Sequence, residues 1–237
     1  MTGKQAVAKN APGPRAIEAV IFDLDGTLAD TIADIAQAMD TALTRHGAQP
    51  RTLEEYKRFV GNGGRELVMR ALPPEKHDHV EAVLAEFRAR YAEHIVEHTR
   101  PFPGVPAMLD GLQAMGIRCA VLSNKAEGMT REIVARLFGA WRFEEVLGEA
   151  EGRAKKPDPE GALLISRRLG VSPSGCVVVG DSDNDILTGR RAGMRAVGVL
   201  WGYRDRSIIE ASQPDAVISR PEDLLDVLRG FSARMAL

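Results

Sequence analysis

The chain has 237 residues, 44% of them hydrophobic and 27% charged, enough apolar side chain to build a real core. Lys and Arg total 31 against 33 acidic residues, a formal net charge of −2, so no global field draws the chain to nucleic acid or to an anionic membrane. No run approaches the roughly 18–20 apolar residues of a membrane-spanning helix, and only Cys119 and Cys176 occur, too few for a disulfide framework.

Residues 1–16 are polar, small and proline-containing. They read as a disordered tail without the apolar middle of a secretory signal, which makes a cytoplasmic location the default. Ala19 to Phe22 then reads as a short buried strand, ended abruptly by turn residues. From Thr31 to about His98 no strand is expected. Ile32, Ile35, Ala36, Met39 and Leu43 share one helical face. Thr52 and Glu55 form a Thr-x-x-Glu capping box. A short helix runs from about Arg65 to Leu72, stopped by Pro73-Pro74, and Val80 to Ile95 carries a longer amphipathic one. His94 and His98 read as a solvated face or hinge contact rather than a metal pair.

Beyond Pro101 and Pro103 the pattern alternates. Helices are expected over Val105–Met115, Thr130–Leu137 and Glu160–Leu169. Strands are expected at Cys119–Leu122, Phe143–Leu147, Cys176–Val179 and Ala196–Leu200, with a weaker sixth at Ala216–Ile218. Buried strands alternating with helices imply an α/β fold, a parallel sheet covered on both faces. A crossover needs one helix, so the long helical stretch reads as an inserted domain. The expected division is a tail over 1–16, a core over 17–30 and 99–237, and a helical insert over 31–98.

In such sheets ligands bind beyond the carboxyl ends of the strands. Asp23, Asp25 and Thr27 follow the first strand, and Ser123-Asn124-Lys125 follow the second. Lys155-Lys156-Pro157 lie beyond the third, and Gly180-Asp181-Ser182-Asp183-Asn184-Asp185 follow the fourth. Two unit charges about 4 Å apart at an effective dielectric near 20 repel by roughly 4 kcal/mol. Gathered carboxylates therefore call for positive charge, and Mg²⁺ together with a lysine suits hard oxygen ligands. An ionised aspartate can attack phosphorus, a second carboxyl can serve the leaving oxygen, and a hydroxyl can bind a phosphoryl oxygen.

The ordered set "DLDGTL", "LSNK", "KPDP" and "GDSDND" resembles the haloacid dehalogenase superfamily of phosphatases, over Ala19 to about Gly202. The resemblance implies a Rossmann-like core with strand order 5-4-1-2-3 and a helical cap. It implies Asp23 as nucleophile and Asp25 as general acid/base. Mg²⁺ would be held by the Asp23 carboxylate, the Asp25 carbonyl and Asp181, with Asp185 orienting a metal water and pairing with the lysine. Ser123 and Asn124 would meet the phosphoryl group, with Thr27 nearby. The lysine precedes proline in the family pattern, which selects Lys156 over Lys155. In that strand order the two cysteines flank the first strand at about 9.6 Å, beyond disulfide reach.

"FVGNGGRELV" in the insert, with "RPFPGV" and "LSNK", is similar to phosphoglycolate phosphatases. Gly63 and Gly64 would let backbone approach the substrate, the helix start would offer N–H groups, and Arg65 would add a bidentate carboxylate contact. The implied partner is a small phosphorylated metabolite, most simply 2-phosphoglycolate, with no nucleic acid or membrane, for a monomer or homodimer. A β-phosphoglucomutase-like mutase or a sugar-phosphate phosphatase is the alternative, and a phosphate-sensing module without activity is disfavoured by the complete set of reactive groups.

Overall fold

The computed structural model describes residues 17–234, and the expected tail lies outside them. In chain order, β1 (Ala19–Phe22) and the two-residue β2 (Ala29–Asp30) lead into four helices: α1 (Ile32–Arg45), α2 (Leu53–Phe59), α3 (Gly64–Ala71) and α4 (Val80–Glu93). The chain returns through β3 (Arg100–Pro101), then alternates: α5 (Val105–Ala114), β4 (Arg118–Ala126), α6 (Glu127–Phe138), β5 (Phe143–Glu149) and α7 (Glu160–Leu169). It ends with β6 (Cys176–Gly180), α8 (Asp183–Arg191), β7 (Arg195–Val199), α9 (Arg206–Ala211), β8 (Ala216–Ile218) and α10 (Asp223–Arg234).

The main sheet is parallel, in the order β5-β4-β1-β6-β7-β8. Numbered within this sheet alone, that is the expected 5-4-1-2-3 with a sixth strand added beyond the fifth. β1 sits at the centre because it is apolar on both faces. Val20 and Phe22 join one core cluster, which continues into the helical insert. Ala19 and Ile21 join the other, with Ala120, Leu122 and Ile165. Cys119 and Cys176 lie on the two strands beside β1 as buried free thiols. Burial pushes the Cys119 thiol up to about 12.

The expected helices of the insert form with small shifts at their ends. The Thr52 capping box is present: the Glu55 N–H donates to Thr52 Oγ1 at 3.2 Å, and the Thr52 N–H donates to Glu55 Oε2 at 2.8 Å. Two features differ from expectation. β4 runs on through Ser123, Asn124 and Lys125 instead of ending at Leu122, with an irregular register between Leu122 and Ala126. The exit and return of the insert also pair as an antiparallel ribbon, Ala29 opposite Pro101 and Asp30 opposite Arg100. Two residues a side carry no alternation pattern, so this ribbon was not readable from the sequence.

Beside the ribbon, Asp34 at the start of α1 is fully buried and faces the return segment. Its Oδ2 accepts from the Thr99 N–H at 2.9 Å and the Thr99 hydroxyl at 2.6 Å, and its Oδ1 accepts from the His98 N–H at 2.8 Å. His98 Nδ1 lies 2.9 Å from the same oxygen, while His94 pairs with Glu97. Among the described residues no helix is long and apolar enough to cross a membrane.

Candidate active site

The carboxyl end of β1 is fixed before any side chain is considered. The Asp23 N–H donates to Val179 O of β6 at 2.9 Å. Its carboxylate Oδ1 then accepts from the Leu24 N–H at 2.7 Å and sits 2.8 Å from Lys156 Nζ. The same ammonium lies 2.6 Å from Asp185 Oδ1. Asp185 is held by the start of α8, where the Ser182 N–H donates to its Oδ2 at 3.1 Å in a second capping box.

Asp181 completes the cluster. Its Oδ1 accepts from the Thr27 hydroxyl at 3.3 Å and its Oδ2 from the Tyr203 N–H at 2.7 Å. Gly26 turns the chain past it at φ +83°, and a Cβ there would stand 2.3 Å from Asp181 Oδ2, so no other residue fits without displacing that acid. Carboxylate oxygens of Asp23, Asp181 and Asp185 all lie within 4.8 Å of one another.

Charge balance follows from this crowding. Burial pushes Asp23 up to about 8; Lys156 opposes that, and Asp185 and Asp181 reinforce it. Asp181 is likewise raised by burial, to about 6, with Asp185 adding to the shift. Burial alone would lower Lys156, but Asp185 and Asp23 hold it above its ordinary value. Three buried carboxylates against one ammonium leave the cluster short of positive charge. A set of close hard oxygens in deficit is the donor chemistry of a divalent cation such as Mg²⁺.

Lys156, not Lys155, reaches the acids; Lys155 pairs with Glu149 at 3.1 Å. The selection is mechanical. Asn124 Oδ1 accepts from the Lys156 N–H at 2.8 Å, and Asn124 Nδ2 donates to Lys156 O at 3.0 Å. Both ends of the Asn124 amide are thus engaged with backbone, although the residue also borders the cavity described next.

Asp23, Asp25, Ser123, Asn124 and Lys125 form the floor of a cavity of about 50 Å³ roofed by the helical insert. Asp25 Oδ1 accepts from the Thr31 hydroxyl at 2.7 Å, and its Oδ2 lies 3.1 Å from Lys125 Nζ. Lys125 in turn donates to Tyr91 OH of α4 at 2.9 Å. The roof is mostly apolar, from Ile35, Val60, Leu67 and Phe87, with Gly61, Gly63 and Gly64 lying close over the floor. Gly63 has φ +91°, and a Cβ there would stand 3.3 Å from Asn124 O.

The insert is fastened to the core at this rim. Asn124 Nδ2 donates to Gly61 O at 2.9 Å, the amides of Asn184 and Asn62 meet at 2.7 Å, and the Arg204 guanidinium donates to Lys57 O and Val60 O.

Two expected substrate contacts lie off the cavity. Arg65 turns outward, half exposed, and pairs with Glu81 at 2.8 Å; at its position on α3 the side chain leaves the cavity face. Thr27 lies behind the acids and supports Asp181 instead of lining the cavity. Sequence reasoning assigns no role to Tyr91 and Arg88 of α4, and reads Trp201–Arg204 as a loop packing on the core, with lining of the site as the alternative, not as the support that Tyr203 N–H gives Asp181. The first two sit in an ordinary amphipathic pattern. The stretch Trp201–Arg204 follows a strand end, which was the one available signal for the others.

The family model for haloacid dehalogenase-like hydrolases matches residues 20–199. The chain is similar to the phosphoglycolate phosphatase of Aquifex aeolicus, 34% identical, covering 88% of this chain and 95% of that one. It is also similar to phosphoglycolate phosphatase 1 of Pseudomonas aeruginosa, 35% identical, covering 87% and 78% of the two chains. A crystal structure from Haemophilus somnus, described as that of a predicted phosphoglycolate phosphatase, superposes with a TM-score of 0.83 at 28% identity, covering 91% of this chain and 99% of that one.

Proposed function

The chain belongs to the haloacid dehalogenase-like hydrolases, and on that premise we propose that this phosphoric monoester hydrolase acts on 2-phosphoglycolate through a phospho-Asp23 intermediate. The observation that carries the reading is the cavity itself. Asp23, Asp25 and Ser123 open onto one partly open space of about 50 Å³ beneath an apolar roof. The nucleophile, the acid/base and a phosphoryl-binding hydroxyl stand side by side there, and the close apolar roof favours a small leaving group over a hexose.

In this mechanism Leu24 N–H and Lys156 hold Asp23 Oδ1, which leaves Oδ2 to attack phosphorus in line with the ester oxygen. As the Oδ2–P bond forms, the P–O bond to the glycolate carbon skeleton breaks, and Asp25 hands its proton to the departing oxygen. Asp25 then takes a proton from water, whose oxygen bonds to phosphorus while the Oδ2–P bond breaks. Ser123 donates its hydroxyl to a phosphoryl oxygen. Tyr91 and the apolar roof keep bulk water away from the intermediate. The carboxylates of Asp23 and Asp181 and the carbonyl of Asp25, with Asp185 behind them, would hold Mg²⁺, which supplies charge neutralisation and a clamp on the transferring group.

A phosphate-release screen tests the reading, run over 2-phosphoglycolate, hexose phosphates, nucleotides and pyrophosphate with and without Mg²⁺. The expected result is the highest kcat/KM on 2-phosphoglycolate, lost on chelation and restored by Mg²⁺. A hexose phosphate as the best substrate, or an isomerised sugar phosphate in place of free phosphate, would overturn it.

A further inference from the structure

A cavity that takes a doubly anionic molecule needs a second counter-charge, away from the phosphoryl end. The cations around the cavity are mostly engaged. Lys156 is shared between Asp23 and Asp185, Lys125 between Asp25 and Tyr91, and Lys155 pairs with Glu149. Arg65 is paired outside with Glu81, and Arg204 is bound to backbone carbonyls. Arg88 differs. It lines the cavity from α4, and among the described residues its guanidinium has no acidic partner and no hydrogen bond.

Its neighbours place it. Phe87 and Tyr91, on the same helix, line the same cavity with their rings stacked, centroids 5.6 Å apart. Residues three apart share a helix face, so Arg88 stands one turn along from the Tyr91 hydroxyl that meets Lys125. Glu149 also lines the cavity, and its Oε2 is buried without a hydrogen-bond partner. A carboxylate on that side would be repelled, which leaves the Arg88 side for the anionic end of a substrate.

We propose that Arg88 receives the substrate carboxylate and sets the preference for phosphoesters that carry a second anion. This rests on the reading of the substrate class given above and replaces Arg65 in the role that the sequence suggested. The planar fork of arginine matches a carboxylate with two parallel N–H donors, and lysine offers only a point charge.

The test compares 2-phosphoglycolate with 2-hydroxyethyl phosphate, of similar size but lacking the carboxylate, in wild type, Arg88→Gln and Arg88→Lys. In wild type the glycolate ester should have the higher kcat/KM. Arg88→Gln should lower the ratio of kcat/KM between the two esters roughly 10- to 100-fold, chiefly through KM for 2-phosphoglycolate. Arg88→Lys should restore only part of that ratio. A thermal melt unchanged from wild type would show that the loss is local. A wild-type preference that survives intact in Arg88→Gln overturns the assignment of Arg88 and leaves the substrate reading standing. No wild-type preference for the carboxylate overturns the substrate reading, and the inference with it.

Discussion

The floor and the roof of the cavity are built on opposite principles. Asp23 on the floor and the Asp181 and Asp185 carboxylates behind it are held just beyond strand ends or in a first helical turn, and most of their oxygens already have a fixed partner: Leu24 N–H and Lys156 on Asp23, Ser182 on Asp185, Tyr203 N–H on Asp181. The roof is mostly apolar, and its charged member, Arg88, is exposed. Preorganised dipoles and charges are what phosphoryl transfer requires, because they need no rearrangement as charge develops. Selection among substrates needs only shape and one or two charges, which side chains on a helix can supply without a rigid frame. The two regions should therefore fail differently.

The largest expected effect is on the floor. Asp23→Asn should lower kcat by at least about 10⁴-fold on every phosphoester tested, with the fold kept, because the amide is isosteric and cannot attack phosphorus. Circular dichroism and single-turnover phosphate release would check both halves of that statement. Residual activity that varied by substrate would break the comparison, since it would place substrate choice on the floor.

Lys156→Met comes next and affects stability as well as rate. It leaves Asp23 and Asp185 facing each other in a buried site without their ammonium. Removing one partner of a buried ion pair costs about 3–5 kcal/mol, so a clear fall in melting temperature is expected together with a loss of kcat. Added Mg²⁺ should recover part of the stability in this variant, because a cation that binds the folded state shifts the equilibrium by mass action. A melting temperature equal to that of wild type would mean that the acids do not depend on Lys156 for balance.

How much of this was legible follows the same division. The floor could be read because each residue sits in a contiguous motif at a strand end: Asp23 and Asp25 two apart, Asp181 and Asp185 one helical turn apart, Lys156 directly before proline. Parallel strands bring their carboxyl ends to one edge, so sequence order converts directly into proximity. The roof could not be read in this way. Arg65 follows two glycines in a conspicuous loop, yet the direction of its side chain depends on the rotation of α3, and it turns to Glu81. Arg88 and Tyr91 lie in an amphipathic stretch whose period reports which face is buried but not what that face meets. The strand β4 is expected to end at Leu122 because Ser, Asn and Lys read as turn residues, although pairing with β5 resumes at Ala126 beyond an irregular stretch over those three. Tertiary pairing there overrides local propensity.

The smallest effect concerns the join between the two regions, where Asp34 ties the first helix of the insert to the segment that returns to the core. Its side chain is fully buried. Burial would raise its pKa, but the Thr99 hydroxyl and the Thr99 and His98 N–H groups outweigh that and hold it below the ordinary 3.8. A depressed carboxyl stabilises the fold above its unfolded value, and that contribution fades as pH falls through the lower folded value. Asp34→Asn keeps the shape and removes the charge, so it should cost about 1–3 kcal/mol near neutral pH, the range for hydrogen bonds to a charged group or a buried donor left short. The gap in melting temperature between wild type and Asp34→Asn should then narrow as the pH is taken below about 4. His98 touches the same carboxylate at 2.9 Å, so a parallel His98→Ala series separates its share from that of Thr99. A gap that stayed constant with pH would show that Asp34 acts through packing alone, and that the join depends on the β2–β3 ribbon instead.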